Sequence, residues 1–74
     1  MIRDIGTIQY LSEREKEVLG WLTKGKSSWD VSAILNISER TVNFHVQNIM
    51  QKLNAVSRTQ AVAVALGKGI IHTD

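Results

Sequence analysis

Neither cysteine nor proline occurs in these 74 residues. Without cysteine there is no disulfide framework and no thiolate zinc site. The two histidines, His45 and His72, stand far apart, and neither has a partner at metal-ligand spacing. No metal and no cofactor are therefore expected. No apolar run approaches the roughly 20 residues of a membrane span. The first residues lack the apolar core of a signal peptide, so a cytoplasmic protein is expected. There is no Ser/His/Asp or Cys/His set and no glycine-rich phosphate loop. Glu13 and Glu17 share a helix side but read as solvated, so no carboxylate pair suggests acid–base work. Catalysis is not expected. With no proline, no alternating strand pattern and no low-complexity segment, four helices are the simplest parse. The length allows one small domain with a stability on the order of 5 kcal/mol or less.

The stretch from Ser27 to Leu53, SSWDVSAILNISERTVNFHVQNIMQKL, carries most of the information. It reads as a short helix, a tight turn and a longer helix. In the longer helix Val42, Val46, Ile49, Met50 and Leu53 fall on one stripe. Asn43, Gln47 and Gln51 run down another side, with Arg40 at the entry. A helix that only had to be soluble would more often carry Lys and Glu there. Asn, Gln and Arg are the side chains that hydrogen-bond base edges in the major groove. A core stripe with a chance polar face remains the plainer alternative. Charge is distributed in the same sense. The net charge is only +2, yet Arg40, Lys52, Arg58 and Lys68 follow one another with no acid between residues 40 and 68. An anionic partner on this half accounts for that asymmetry, and so does chance.

Local signals set the element boundaries. Residues 1 to 10 have no clear period and read as a linker or N-terminal arm, leaving 11–74 as the domain. Ser12 and Glu15 make a capping box that opens the first helix. Val18, Leu19 and Leu22 supply its buried stripe, with Trp21 at the edge and Gly25 as a left-handed stop. Ser27 and Asp30 open the second helix, in which Val31, Ile34 and Leu35 are expected to face inward. Asn36 suits a left-handed turn position, and Ser38 caps a third helix running from about Glu39 to Leu53. Asn54 ends it. Ser57 and Gln60 make the box of a fourth helix, terminated by Gly67 and Gly69, with Ile70 and Ile71 folding back on the core. The AVAVAL run of this helix is small and apolar on nearly every side. A small domain has little interior in which to bury a helix all round, so one face is expected on the core and another on a partner subunit.

LSEREKEVL, the Gly25–Lys26–Ser27 step, ISERTVNFHVQNI and KLNAVSRTQAVAVAL occur in one order and spacing. Together they resemble the DNA-binding domain of LuxR-type transcription regulators, from roughly Leu11 to Ile71. GKSSWDVS and RTVNFH look most like the quorum-sensing branch, where this domain follows one that binds an acyl-homoserine lactone. Ser32 stands where the family usually has alanine, and is small enough to keep the helices close. The resemblance implies an all-α, four-helix helix-turn-helix domain with its third helix in the major groove, paired as a homodimer on a palindromic double-stranded operator. It implies base contacts from Asn43, Phe44 and Gln47, and phosphate contacts from Lys26, Ser38, Arg40, Thr41 and His45. It implies a dimer seam along the fourth helix, for which Arg58, Ala61, Val62 and Ala65 are the candidates. It associates the Trp29 stretch with RNA polymerase.

The residues themselves support Asn43, Gln47 and Arg40 and are silent on Lys26. A hydroxyl tied to its own helix accounts for Thr41 equally well, and a packed edge position for His45. For Trp29 the competing role is a ring folded over the core edge. Glu17 is available for an ion pair across the fold. A small-molecule inducer would act only through a sensor domain that is absent here, and a domain cut from a longer receptor is expected over a small stand-alone regulator. A helical interaction module that never touches DNA explains AVAVAL but not the Asn43, Gln47 and Arg40 face; nonspecific nucleic-acid binding is the third reading.

Overall fold

The computed structural model describes residues 10–71; the expectations for residues 1–9 and His72 lie outside that range. Four helices follow in order: α1 Glu13–Thr23, α2 Ser28–Leu35, α3 Glu39–Lys52 and α4 Arg58–Gly67. Each opens on serine. Ser12, Ser27, Ser38 and Ser57 are the N-caps, and each side chain accepts from a backbone N–H three residues on. The boxes at Ser12/Glu15 and Ser27/Asp30 are both complete. The one at Ser57 is not. Gln60 Oε1 accepts instead from the N–H of Val56, at 2.6 Å, one residue ahead of the cap.

Left-handed residues set the breaks. Gly25 (φ 82°) follows α1, Asn36 (φ 57°) stands between α2 and α3, and Asn54 (φ 55°) follows α3. After α4 the left-handed residue is Gly69 (φ 70°), while Gly67 is still helical. Ile70 and Ile71 return onto the core as half-buried residues.

The core is Leu11, Val18, Leu19, Val31, Val42, Val46, Ile49, Leu53, Ala61 and Ala65. α3 lies at its centre, packed by α1, α2 and α4. Its apolar stripe is buried as the spacing predicts, apart from Met50, which is half-buried. Ser32 is buried, and its hydroxyl donates to the Trp29 carbonyl at 2.6 Å, so no polar group is stranded where the helices approach.

Three assignments change: one inward residue, the seam alanines and the ion pair across the fold. Ile34 is 43% exposed; an eight-residue helix resting on one neighbour buries a narrow stripe, and Val31 and Ser32 occupy it. Ala61 and Ala65 are 1% and 0% exposed, so the small face of α4 is spent on the domain's own core. The charge pair across the fold uses Glu15, not Glu17. Glu15 Oε1 accepts from Lys52 Nζ at 2.8 Å and from the Ser12 N–H at 2.9 Å. Glu17 pairs along its own helix with Arg14, at 3.1 Å in the open. Burial acts to raise the Glu15 pKa; the Lys52 ammonium and the Ser12 bonds outweigh it and hold the carboxyl below its usual range.

Among the described residues no helix is long and apolar enough to cross a membrane, and no cluster of His, Asp and Glu forms a metal site.

Candidate nucleic-acid interface

The site is built on the α2–turn–α3 unit. The turn is Asn36, Ile37 and Ser38. Asn36 reverses the chain, and the Ile37 N–H closes back on the Ser32 carbonyl at 3.1 Å. Ser38 Oγ accepts from the Thr41 N–H at 3.0 Å and meets the Thr41 hydroxyl at 2.9 Å. The Thr41 hydroxyl is thus engaged with the cap, at the positive end of the α3 dipole. Ser38 and Arg40 are exposed beside it.

Beyond this cap α3 is two-sided. Arg40, Asn43, Phe44, Gln47 and Gln51 are all exposed and fall at offsets 0, 3, 4, 7 and 11, one continuous stripe. No acid follows Glu39 on the helix. Phe44 is 62% exposed, its ring edge-on to the half-buried His45 at 5.8 Å between centroids. His45 is therefore an edge residue against Phe44.

Asn43 is held from two other helices. Its Oδ1 accepts from Ser28 Oγ at 2.7 Å and from Arg58 Nη2 at 3.1 Å. Arg58 Nη2 also donates to Ser28 Oγ. This node ties the first residues of α2 and α4 to the outer face of α3. It escaped the sequence reading because its members lie 15 and 30 residues apart, with no periodic signal between them. Arg58, expected on the dimer seam, directs its guanidinium into its own chain. Lys26 is exposed in the α1–α2 loop, two residues before Ser28, so that loop borders the start of α3.

On α4 the exposed or half-buried residues Thr59, Val62, Ala63 and Leu66 share one stripe at offsets 0, 3, 4 and 7. Of the expected seam residues only Val62 lies on it. On α2 Trp29 is 65% exposed, so its ring does not fill the core; Ala33, one turn later on the same side, is exposed as well.

The family model for bacterial regulatory proteins of the luxR family matches residues 9–65. A putative HTH-type transcriptional regulator of Sinorhizobium fredii is 55% identical over 65 residues, 88% of this chain and 20% of that protein. The transcriptional activator protein LuxR of Aliivibrio fischeri is 50% identical over 62 residues, 84% of this chain and 25% of that protein. The chain thus spans a quarter or less of these curated relatives. The solved structure of the transcription factor GerE superposes with a TM-score of 0.76 at 41% identity, covering 80% of this chain and 88% of that one.

Proposed function

The chain belongs to the luxR family of bacterial regulatory proteins, and from that premise we propose that it is a sequence-specific DNA-binding domain whose α3 reads the major groove. Proteins of this family are transcription regulators, not enzymes. The observation that carries the reading is the outer stripe of α3. Five exposed residues rich in amide and guanidinium groups are presented by a helix whose opposite side is locked in the core. Asn43, Phe44 and Gln47 face base edges in this reading. The exposed Lys26, Ser38 and Arg40 meet the phosphate backbone near the cap of α3, while Thr41 holds the cap and His45 packs against Phe44, which leaves them the weaker candidates for phosphate.

Two copies pair on a palindrome with half-sites about one helical turn apart. The surface left for the seam is the Thr59, Val62, Ala63 and Leu66 stripe of α4. The two curated relatives are several times longer, which supports a larger cytoplasmic regulator in which a quorum-sensing inducer such as an acyl-homoserine lactone acts through another part.

The test is a titration of alanine variants. Gln47→Ala relaxes preference at one or two base pairs and costs about 1–3 kcal/mol on the preferred site. Arg40→Ala weakens every sequence alike and flattens the salt slope by roughly one unit. If Arg40→Ala changes the preferred sequence instead, the division of labour along α3 is wrong.

Trp29 has a separate role in this account, as an exposed anchor for RNA polymerase; tryptophan is enriched at binding hot spots. Trp29→Ala is expected to keep the melting temperature and operator affinity and to lower reporter output from an activated promoter. An unchanged reporter removes the polymerase contact.

A further inference from the structure

An asparagine on an open helix face does not choose which end of its amide to present. Its last torsion is broad and roughly two-fold, so oxygen and nitrogen exchange places easily. At a base edge that exchange turns an acceptor into a donor, and it changes which base is favoured. In Asn43 the choice is made from inside the domain. A guanidinium carries donors only, so the Asn43 atom that meets Arg58 Nη2 at 3.1 Å is the acceptor Oδ1. The Ser28 hydroxyl accepts from Arg58 and donates to the same Oδ1, at 2.7 Å. Ser28 and Arg58 are bonded to each other, so both approach Oδ1 from one side. Acceptor capacity remains on its other side.

Neither partner is needed where it stands by its own helix. The caps of α2 and α4 are Ser27 and Ser57, each one residue earlier. Arg58 puts a cation in the first turn of α4, where the helix dipole disfavours it, and that turn holds no acid to offset it. Ser28 is 5% exposed, too buried to touch a base itself. Any effect of Ser28 on base preference must therefore pass through Asn43.

We propose that Ser28 and Arg58 are positioning residues for sequence reading: they fix the direction of the Asn43 amide and so set the preference at the base pair it reads. The proposal rests on the DNA reading of α3 and deepens it. The preference at that pair is governed from α2 and α4, by residues off the reading stripe.

DNA selection with the whole chain tests this, using the wild type, Asn43→Ala, Ser28→Ala, Arg58→Met and the double variant Ser28→Ala/Asn43→Ala, with a thermal melt of each. Arg58→Met keeps the length of the side chain and removes its donors. It also removes a charge that attracts all DNA alike, so the readout is the ratio of affinities between sites differing at one base pair. Asn43→Ala identifies the pair concerned. Ser28→Ala and Arg58→Met each melt cooperatively and lower the discrimination at that same pair by about threefold or more. The preferences at the pairs assigned to Gln47 stay as in the wild type. In the Asn43→Ala background, Ser28→Ala changes no preference further.

Unaltered preferences in folded Ser28→Ala and Arg58→Met overturn the proposal, as does a loss of affinity equal for all sequences. A change of preference by Ser28→Ala that persists without Asn43 also overturns it. So does a selection by Asn43→Ala identical to that of the wild type, while the DNA reading of α3 stands. A wild type that enriches no sequence overturns the DNA reading itself.

Discussion

Replacing Ala65 by glutamate is expected to unfold the domain, whereas the same change at Ala63 is expected to leave it folded. Ala65 is fully buried among the core residues of its own chain. A carboxylate there has neither a partner nor room. Its desolvation and overpacking cost several kcal/mol, against a stability on the order of 5 kcal/mol for a domain this small. Ala63, two residues away, is exposed. Ala63→Glu puts its charge on the outer stripe of α4, where the proposed partner subunit docks. Circular dichroism should show a cooperative melt for Ala63→Glu and none for Ala65→Glu. On DNA, Ala63→Glu should bind a single half-site normally and a full palindrome more weakly than the wild type. Equal affinity for the palindrome would move the seam off this stripe.

Lys52→Met is expected to have the second largest effect on stability. Lys52 Nζ is the counter-charge of Glu15, a carboxylate with 6% of its side chain exposed. Removing it leaves that carboxylate desolvated with only the Ser12 bonds, which should cost about 2–3 kcal/mol at neutral pH. The loss depends on pH in a defined direction. The folded-state pKa of Glu15 is depressed, so its contribution is fully present above the ordinary carboxylate range and fades as pH falls through the folded value. Once Glu15 is protonated there is no ion pair to lose. The stability difference between wild type and Lys52→Met should therefore shrink as the solution is acidified below the usual carboxylate range. Chemical denaturation at neutral and acidic pH measures it. A difference independent of pH would mean that the lysine stabilises through its alkyl stem and not its charge.

What could be read from the residues alone was set by distance along the chain. The serine caps and the left-handed asparagine act over three or four residues, and all four helices begin where those signals stand. The two faces of α3 were legible because its polar and apolar residues differ strongly and repeat. α4 offered no such contrast. AVAVAL is apolar all round, so Ala61 and Ala65 were indistinguishable from Ala63 and Leu66 until the packing against α1 and α3 was known. Ile34 failed for a related reason, since on a helix of eight residues an apolar side chain does not say which side is covered. Contacts between distant residues had no signal at all. The Glu15–Lys52 pair spans 37 residues, and the Ser28–Asn43–Arg58 node joins three helices. Arg58 could be assigned to the wrong surface because an arginine at a helix start looks the same whether it faces a partner, a phosphate or an asparagine of its own chain.

If α3 reads sequence, the domain discriminates its operator from other DNA. Titrating the purified domain with the palindrome it selects and with random DNA of the same length, each at two salt concentrations, measures that discrimination. Binding to the palindrome is expected to be tighter at both concentrations, with both affinities falling as salt rises. Equal affinities with a steep salt slope, or no binding to either DNA, would contradict it.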